Sequence, residues 1–305
     1  MSISASMVRD LREKTSAGML DCKKALEETK GDFEAAVEWL RKKGLASAAK
    51  KSDRLASEGM VVAAQKGKSA SLLEVNSETD FVAKNDMFKA FVKDVVEHIT
   101  HAAQHPTDVT ALMDAALHTG HKVGDLLKES IAKIGENLVI RRFVRFDTTG
   151  LVQTYIHGDG KIGVMVEVDT TKPDSDEVRT FANDVCLHVA AMSPVAISME
   201  EVPKELVDKE REILKGKALE QGKKAEMIEK IVEGQIRKFL AESCLLEQSY
   251  VKNPDLKVRE HMAEVGKKVG DTLKIKRFLR FELGEGLQKR SSNFAEEVAA
   301  QTKGH

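Results

Sequence analysis

One stretch of this chain occurs twice. Ile134-Gly135-Glu136-Asn137-Leu138-Val139-Ile140-Arg141-Arg142-Phe143-Val144-Arg145-Phe146 is paralleled by Val269-Gly270-Asp271-Thr272-Leu273-Lys274-Ile275-Lys276-Arg277-Phe278-Leu279-Arg280-Phe281, at a constant offset of 135 residues (143 to 278, 146 to 281). In each copy Leu, Ile, Arg, an aliphatic residue and Phe fall on alternate positions, the pattern of one strand face. A looser repeat sets Phe91-x-x-Asp94-Val95-x-x-His98 against Phe181-x-x-Asp184-Val185-x-x-His188. Ahead of each stand two strand-like runs: Gly59 to Ala64 and Ser71 to Asn76 around a Lys66-Gly67-Lys68 turn, then Gly150 to Ile156 and Val164 to Asp169 around Gly158-Asp159-Gly160. A helix follows each pair, with Phe88, Phe91, Val92, Val95 and Ile99 on one face of the first and Phe181, Val185, His188 and Val189 on the second. This duplication restricts the middle of the chain to a core of two related α+β subdomains, each a small sheet covered by helices.

The flanks are helical in pattern. Residues 1–44 read as three short helices: Val8 and Leu11 begin an apolar stripe, and Ser16 is placed to cap a helix carrying Met19, Cys22 and Leu26. Gly31 and Asp32 stop that helix and start the next, and Gly44 closes a third that carries Phe33, Ala36, Val37 and Leu40. So thin a core suits docking onto something larger. Residues 45–58 read as a linker helix or connector. Residues 201–248 are dense in Glu and Lys, with Gly222 as a midpoint break. Val207, Ile213 and Leu214 mark one arm, and Ile228, Ile231, Val232, Phe239 and Leu240 the other, of an inserted antiparallel helical hairpin. The tail carries Phe294 and Val298 four apart, as in an amphipathic helix. The expected division is 1–55 (helical domain and linker), 56–147 and 148–286 (the two core subdomains) and 287–305 (C-terminal helical module).

Composition excludes several functions. A net charge of −1 lacks the basic excess of a dedicated nucleic-acid binder, and 5% aromatic residues are few for base stacking. Cys22, Cys186 and Cys244 form no CxxC pair, which fits a reducing compartment. No apolar h-region follows the N-terminus, and no apolar run reaches the length of a membrane span. The expectation is a cytoplasmic protein with no cofactor, no metal, no membrane contact and no direct nucleic-acid contact.

Two nucleotide motifs are decoys. Gly158-Asp159-Gly160-Lys161-Ile162-Gly163 matches GxGxxG, but the strand-like Val164-Met165-Val166-Glu167-Val168 follows where the fingerprint requires a helix. Gly67-Lys68-Ser69 ends like a P-loop, yet Val62 occupies the first glycine position. His98, His101 and His105 share a helical spacing, and His118 lies near His121, but no carboxylate or cysteine completes a ligand set. No Ser/His/Asp or Cys/His order suggests an enzyme.

The segment Ser77-Glu78-Thr79-Asp80-Phe81-Val82-Ala83-Lys84-Asn85 lies between a strand and a long helix. Thr79 is placed to cap a first turn and Asn85 to cap the main helix. Two arrangements are open: Phe81 packed inward with Asp80 as a cap, or Phe81 and Val82 on an exposed corner beside a carboxylate. Thr79 to Asn85 resembles the signature of bacterial elongation factor Ts. So do Thr15-Ser16-Ala17-Gly18-Met19-Leu20-Asp21-Cys22-Lys23-Lys24-Ala25-Leu26 and Tyr155-Ile156-His157-Gly158 with Lys161-Ile162-Gly163-Val164. The three motifs stand in family order and span essentially the whole chain; the main departure is at 101–122.

The resemblance implies a ubiquitin-associated-like N-terminal domain, a two-subdomain core, a helical hairpin and a C-terminal module. It implies a guanine-nucleotide exchange factor without covalent chemistry of its own, whose partner is elongation factor Tu in its GDP-bound and nucleotide-free forms. Thr79, Asp80, Phe81, Val82, Ala83, Lys84 and Asn85 would then dislodge nucleotide and Mg²⁺, with Asp80 and Phe81 entering the partner's nucleotide domain. Met19 and Leu20 (contact residues or core), His157 and Phe294 are the further contact candidates. A homodimer or a two-plus-two complex is open. An enzyme, or an adaptor binding through the N-terminal helices alone, are the rival readings.

Overall fold

The computed structural model describes residues 3–15, 17–117 and 120–288. The protein is α+β. Three helices lead: α1 (Ala5–Thr15), α2 (Met19–Glu28) and α3 (Phe33–Lys51). Strands β1 (Glu58–Lys66) and β2 (Ser69–Ser77) follow, then the one-turn α4 (Asp80–Ala83), α5 (Asp86–His101), α6 (Val109–Asp114), α7 (Val123–Ile134) and β3 (Leu138–Asp147). The later part runs β4 (Leu151–His157), β5 (Ile162–Asp169), α8 (Asp176–Met192), α9 (Lys204–Glu220) and α10 (Ala225–Ser243). It ends with β6 (Ser249–Tyr250), β7 (Asn253–Lys257), α11 (Val258–Val269) and β8 (Lys274–Glu282). The sheets have strand orders β1-β2-β3, β4-β5-β8 and β6-β7. Two compact units result, one from Met1–Val62, Leu73–Val144 and the segment starting at Glu282, the other from Ala63–Leu72 and Arg145–Phe281. Among the described residues no helix is long and apolar enough to cross a membrane.

In the first unit the leading helices enclose Val8, Leu11, Cys22, Ala25, Leu26 and Ala36. Asp32 caps α3, its carboxylate accepting from the Ala35 amide at 2.9 Å. The expected stop at Gly44 is not there: α3 runs on to Lys51. A Cβ on Gly44 would lie 3.1 Å from the Ala132 Cβ of α7, so this glycine brings two helices together instead of ending one. Inside a helix, lost side-chain bulk at a close crossing outweighs glycine's modest propensity cost. The apolar face of α5, with Phe88, Phe91, Val92, Val95 and Ile99, is buried as its periodicity predicts.

The duplicated sequence makes a duplicated turn. Helix α7 ends at Gly135 (φ 91°) and leads into β3; α11 ends at Gly270 (φ 65°) and leads into β8. Both glycines are left-handed helix caps, a conformation that costs a side chain but not glycine. Each copy also buries one carboxylate. Glu74 on β2 is fully buried and accepts from Arg141 (2.8 Å), Arg142 (2.6 Å) and the Gly284 amide (2.9 Å). Glu167 on β5 accepts from Lys276 (3.2 Å) and Arg277 (2.5 Å), each 135 positions beyond its counterpart. Burial alone raises the pKa of Glu74, but the Gly284 amide and the two guanidiniums more than reverse it, holding the group below the ordinary carboxylate value. For Glu167, Thr148, Arg277 and Lys276 likewise outweigh the raising effect of burial.

In the second unit β4 and β5 are antiparallel, with Tyr155 opposite Val164 and His157 opposite Ile162. Gly158, Asp159 and Gly160 between them all have positive φ (60°, 54° and 91°), so the GxGxxG stretch is a hairpin turn with a strand on each side. Val164, Val166 and Val168 pack against Phe181, Val185 and Val189 of α8 and Ile275 of β8. Helices α9 and α10 share a core of Leu214, Ala218, Ile228, Val232 and Ile236. Ile213 lies on the α9 arm as expected but is exposed, because the contact stripe passes through Leu214 and Ala218 four residues apart. Gly222 (φ 67°) lies in the break between the arms. Helices α6, α7 and α11 and the short β6 and β7 were not foreseen.

Candidate functional site

The segment after β2 passes through a bend into a single helical turn before α5 begins. The Ser77 hydroxyl donates to the Thr79 carbonyl at 2.9 Å as the strand ends. Thr79 has the extended backbone of an N-cap (φ −129°), but its hydroxyl does not cap α4. It donates instead to Glu136 Oε1 at 2.7 Å, while the Thr79 amide donates to Glu136 Oε2 at 3.0 Å. Glu78 accepts from the Asn137 amide at 2.7 Å and from Arg54 at 3.3 Å. One helical turn follows, closed by the Lys84 amide on Phe81 O (3.2 Å) and the Asn85 amide on Val82 O (2.9 Å). Asn85 then caps α5, its side-chain oxygen accepting from the Met87 amide at 2.8 Å and the Phe88 amide at 3.4 Å. The foreseen cap is present at Asn85 and absent at Thr79, because a carboxylate competes for the threonine hydroxyl.

This geometry separates the two apolar side chains of the corner. Val82 is buried, so the expectation that it shares the exposed face does not hold; a four-residue helix has one inward side, and Val82 occupies it. Phe81 is 77% exposed. The inward-packed alternative for Phe81 is thereby excluded. A ring left in water forgoes roughly 2–3 kcal/mol of burial. Asp80 and Lys84 are exposed, 3.3 Å apart, and the Lys84 ammonium lies 6.0 Å from the Phe81 ring centroid. An exposed pair of this kind contributes little to stability, but it gathers an anion, a cation and an aromatic face at one point. Ala83 is partly covered.

The other candidates lie on separate elements. Met19 and Leu20 start α2, and both are exposed (47% and 83%) while Cys22, Ala25 and Leu26 take the core face. His157 ends β4 in the second unit, with its Nδ1 2.9 Å from the Tyr155 hydroxyl. Phe294, the C-terminal module and the proposed Ser16 cap lie outside the described residues. Among the described residues no group of three or more His, Cys, Asp or Glu is arranged to hold a metal ion. Sequence reasoning missed Glu136, Asn137 and Glu78 as parts of the site. For Glu136 a signal was available: an acid follows the glycine in both copies of the repeat, Glu136 after Gly135 and Asp271 after Gly270.

The family model described as Elongation factor TS matches residues 78–285. Full-length similarity extends to proteins named Elongation factor Ts: one of Bdellovibrio bacteriovorus is 57% identical, covering 100% of both chains. One of Syntrophotalea carbinolica is 49% identical over 99% of this chain and 100% of its own. One of Clostridioides difficile is also 49% identical, over 99% of each. The match takes in both copies of the repeat and the exposed corner ahead of them, and this chain belongs to the elongation factor Ts family of translation exchange factors.

Proposed function

We propose that this protein is the guanine-nucleotide exchange factor of elongation factor Tu, acting in the cytoplasm by protein–protein contact alone, and that the corner at Thr79–Asn85 is its working end. The observation that carries the reading is the Phe81 ring, held out in solvent on a one-turn helix whose neighbours Val82 and Asn85 are fixed.

A GTPase holds GDP through a phosphate cradle and Mg²⁺. A rigid aromatic side chain that enters between helices of such a domain gains burial as a hot spot does and forces those helices apart. The loops supporting the metal move with them. Mg²⁺ is the largest local positive charge on the diphosphate, and its loss weakens the nucleotide. Asp80, beside the ring, adds a negative charge toward the phosphates. Lys84 tethers Asp80 in the free protein and exchanges that weak partner on docking. Met19 and Leu20 supply apolar contact from the N-terminal helices, and His157 and Phe294 contact further parts of the partner. Binding at these places offsets the cost of distorting the GTPase. By linkage, factor and nucleotide weaken each other equally, and excess GTP completes the exchange.

Release of fluorescent GDP from elongation factor Tu, with and without this protein, tests the proposal. Phe81→Ala is expected to lose on the order of 2–4 kcal/mol of productive interaction while its circular dichroism and melting stay those of the parent. Asp80→Asn is expected to slow release less. A parental rate from Phe81→Ala refutes the wedge, and a larger loss from Asp80→Asn shifts the mechanism from wedge to charge.

A further inference from the structure

We infer that Glu136, 57 residues away in sequence, is the positioning residue of the exchange corner: from the turn between α7 and β3 it fixes Thr79, and through it the direction in which Asp80 and Phe81 are presented. The inference rests on the reading of the corner proposed above.

Both carboxylate oxygens of Glu136 are engaged by a single residue, one by the Thr79 amide at 3.0 Å and one by the Thr79 hydroxyl at 2.7 Å. The attachment is reciprocal, since Glu78 on the corner side accepts from the Asn137 amide at 2.7 Å. Asn137 is itself buried and donates to the Ser52 and Arg54 carbonyls at 3.3 and 2.8 Å, so the turn that carries the latch is anchored in turn. Helix α4 needs such help. Four residues cannot sustain a helix on their own hydrogen bonds, because nucleation is unfavourable and only propagation repays it. The Thr79 hydroxyl, which would otherwise cap that turn, is committed to Glu136. The side chains at positions 80 and 81 therefore take their direction from the latch on one side and from Val82 and Asn85 on the other.

The second copy of the repeat provides an internal control. Asp271 stands where Glu136 does, and its carboxylate accepts from the Thr170 hydroxyl (2.6 Å) and the Thr171 amide (2.8 Å) of the loop after β5. That loop, Thr170-Thr171-Lys172-Pro173-Asp174, carries no aromatic residue. The same device thus holds an ordinary connection in one copy and the Asp80–Phe81 pair in the other.

The test titrates the factor against elongation factor Tu loaded with fluorescent GDP and reads the maximal release rate at saturation. Glu136→Ala is expected to lower that rate about tenfold, the barrier equivalent of one lost charge-assisted hydrogen bond. Glu136→Gln, which retains one acceptor oxygen, is expected to recover part of it. Thr79→Val, a smaller change that removes only the hydroxyl, is expected to fall in the same direction and serves if Glu136→Ala folds poorly. Adding Glu136→Ala to Phe81→Ala is expected to cost nothing further, as for residues acting through one another. Asp271→Ala is expected to melt earlier yet release GDP at the parental maximal rate. A parental rate from Glu136→Ala and Thr79→Val beside a slow Phe81→Ala overturns the inference alone. Full additivity in the double variant, or an equal loss from Asp271→Ala, overturns it as well. A parental rate from Phe81→Ala overturns the corner reading and this inference together.

Discussion

Replacing Glu74 by Ala tests what the buried carboxylate contributes, and the duplicated fold supplies its own comparison in Glu167. Glu74 is fully buried, and its charge is met by Arg141 and Arg142, whose side chains keep only 21% and 30% of their surface exposed. Removing one partner of a buried ion pair costs roughly 3–5 kcal/mol, because the remaining charges are stranded. Partial rehydration of the two guanidiniums places this case at the lower end, near 3 kcal/mol. Glu167 is equally buried, but its partners Lys276 and Arg277 are 58% and 43% exposed and stay solvated without it. Its loss should approach that of the hydrogen bonds alone, about 1.5 kcal/mol. With a urea slope of about 2 kcal/mol/M, Glu74→Ala shifts the midpoint by about 1.5 M and Glu167→Ala by about half that. Trp39, the single tryptophan, lies in the first unit with Glu74, so its fluorescence follows that unit while circular dichroism follows the whole chain. Because the folded pKa of Glu74 lies below the unfolded one, its contribution is complete above about pH 4.3 and is lost as pH falls through the folded value. The parent should show that acid slope, and Glu74→Ala should show less of it. An equal or larger midpoint shift for Glu167→Ala would refute the argument from partner exposure.

Three further outcomes follow from the packing. Gly59→Ala should destabilise by at least about 2 kcal/mol, since φ is +125° and an added Cβ would lie 2.2 Å from the Val75 carbonyl oxygen; a melting temperature equal to the parent's contradicts this. Asn85→Ala should cost about 1 kcal/mol by removing the α5 cap, read as a denaturation midpoint, and should slow exchange by loosening one end of the corner. His188 is buried, with Nε2 2.9 Å from Gln248 Oε1 and Nδ1 accepting the Val251 amide at 3.2 Å. Burial depresses its pKa, partly opposed by Gln248, so its share of stability is full above about pH 6.5 and falls as the solution is acidified toward the folded value; an NMR titration midpoint at or above 6.5 would contradict it.

Much of the architecture was legible before any coordinates. The alternation along Leu138–Phe146 and Leu273–Phe281, the stripe of α5 and the break at Gly222 each follow from local patterning that the final packing respects. The failures have non-local causes. Gly44 looks like a helix stop until Ala132 is brought against it. Thr79 looks like a cap until Glu136 takes its hydroxyl. Phe81 and Val82 are neighbours of similar character, and which of them faces water depends on how a four-residue turn is rotated. The turn is tied to Glu136, which lies beyond three further helices in the chain, so the local sequence showed the motif while leaving both arrangements of its ring open.

The unbroken course of α3 past Gly44 bears on how force travels through the molecule. A slack tether after the third helix would let the leading helices swing and hold a partner as a leash does. A helix continuous to Lys51 and seated against α7 behaves as a lever. Since α7 runs directly into the turn bearing Glu136, α3 is joined by packing and one hydrogen-bonded turn to Thr79 at the base of the protruding ring.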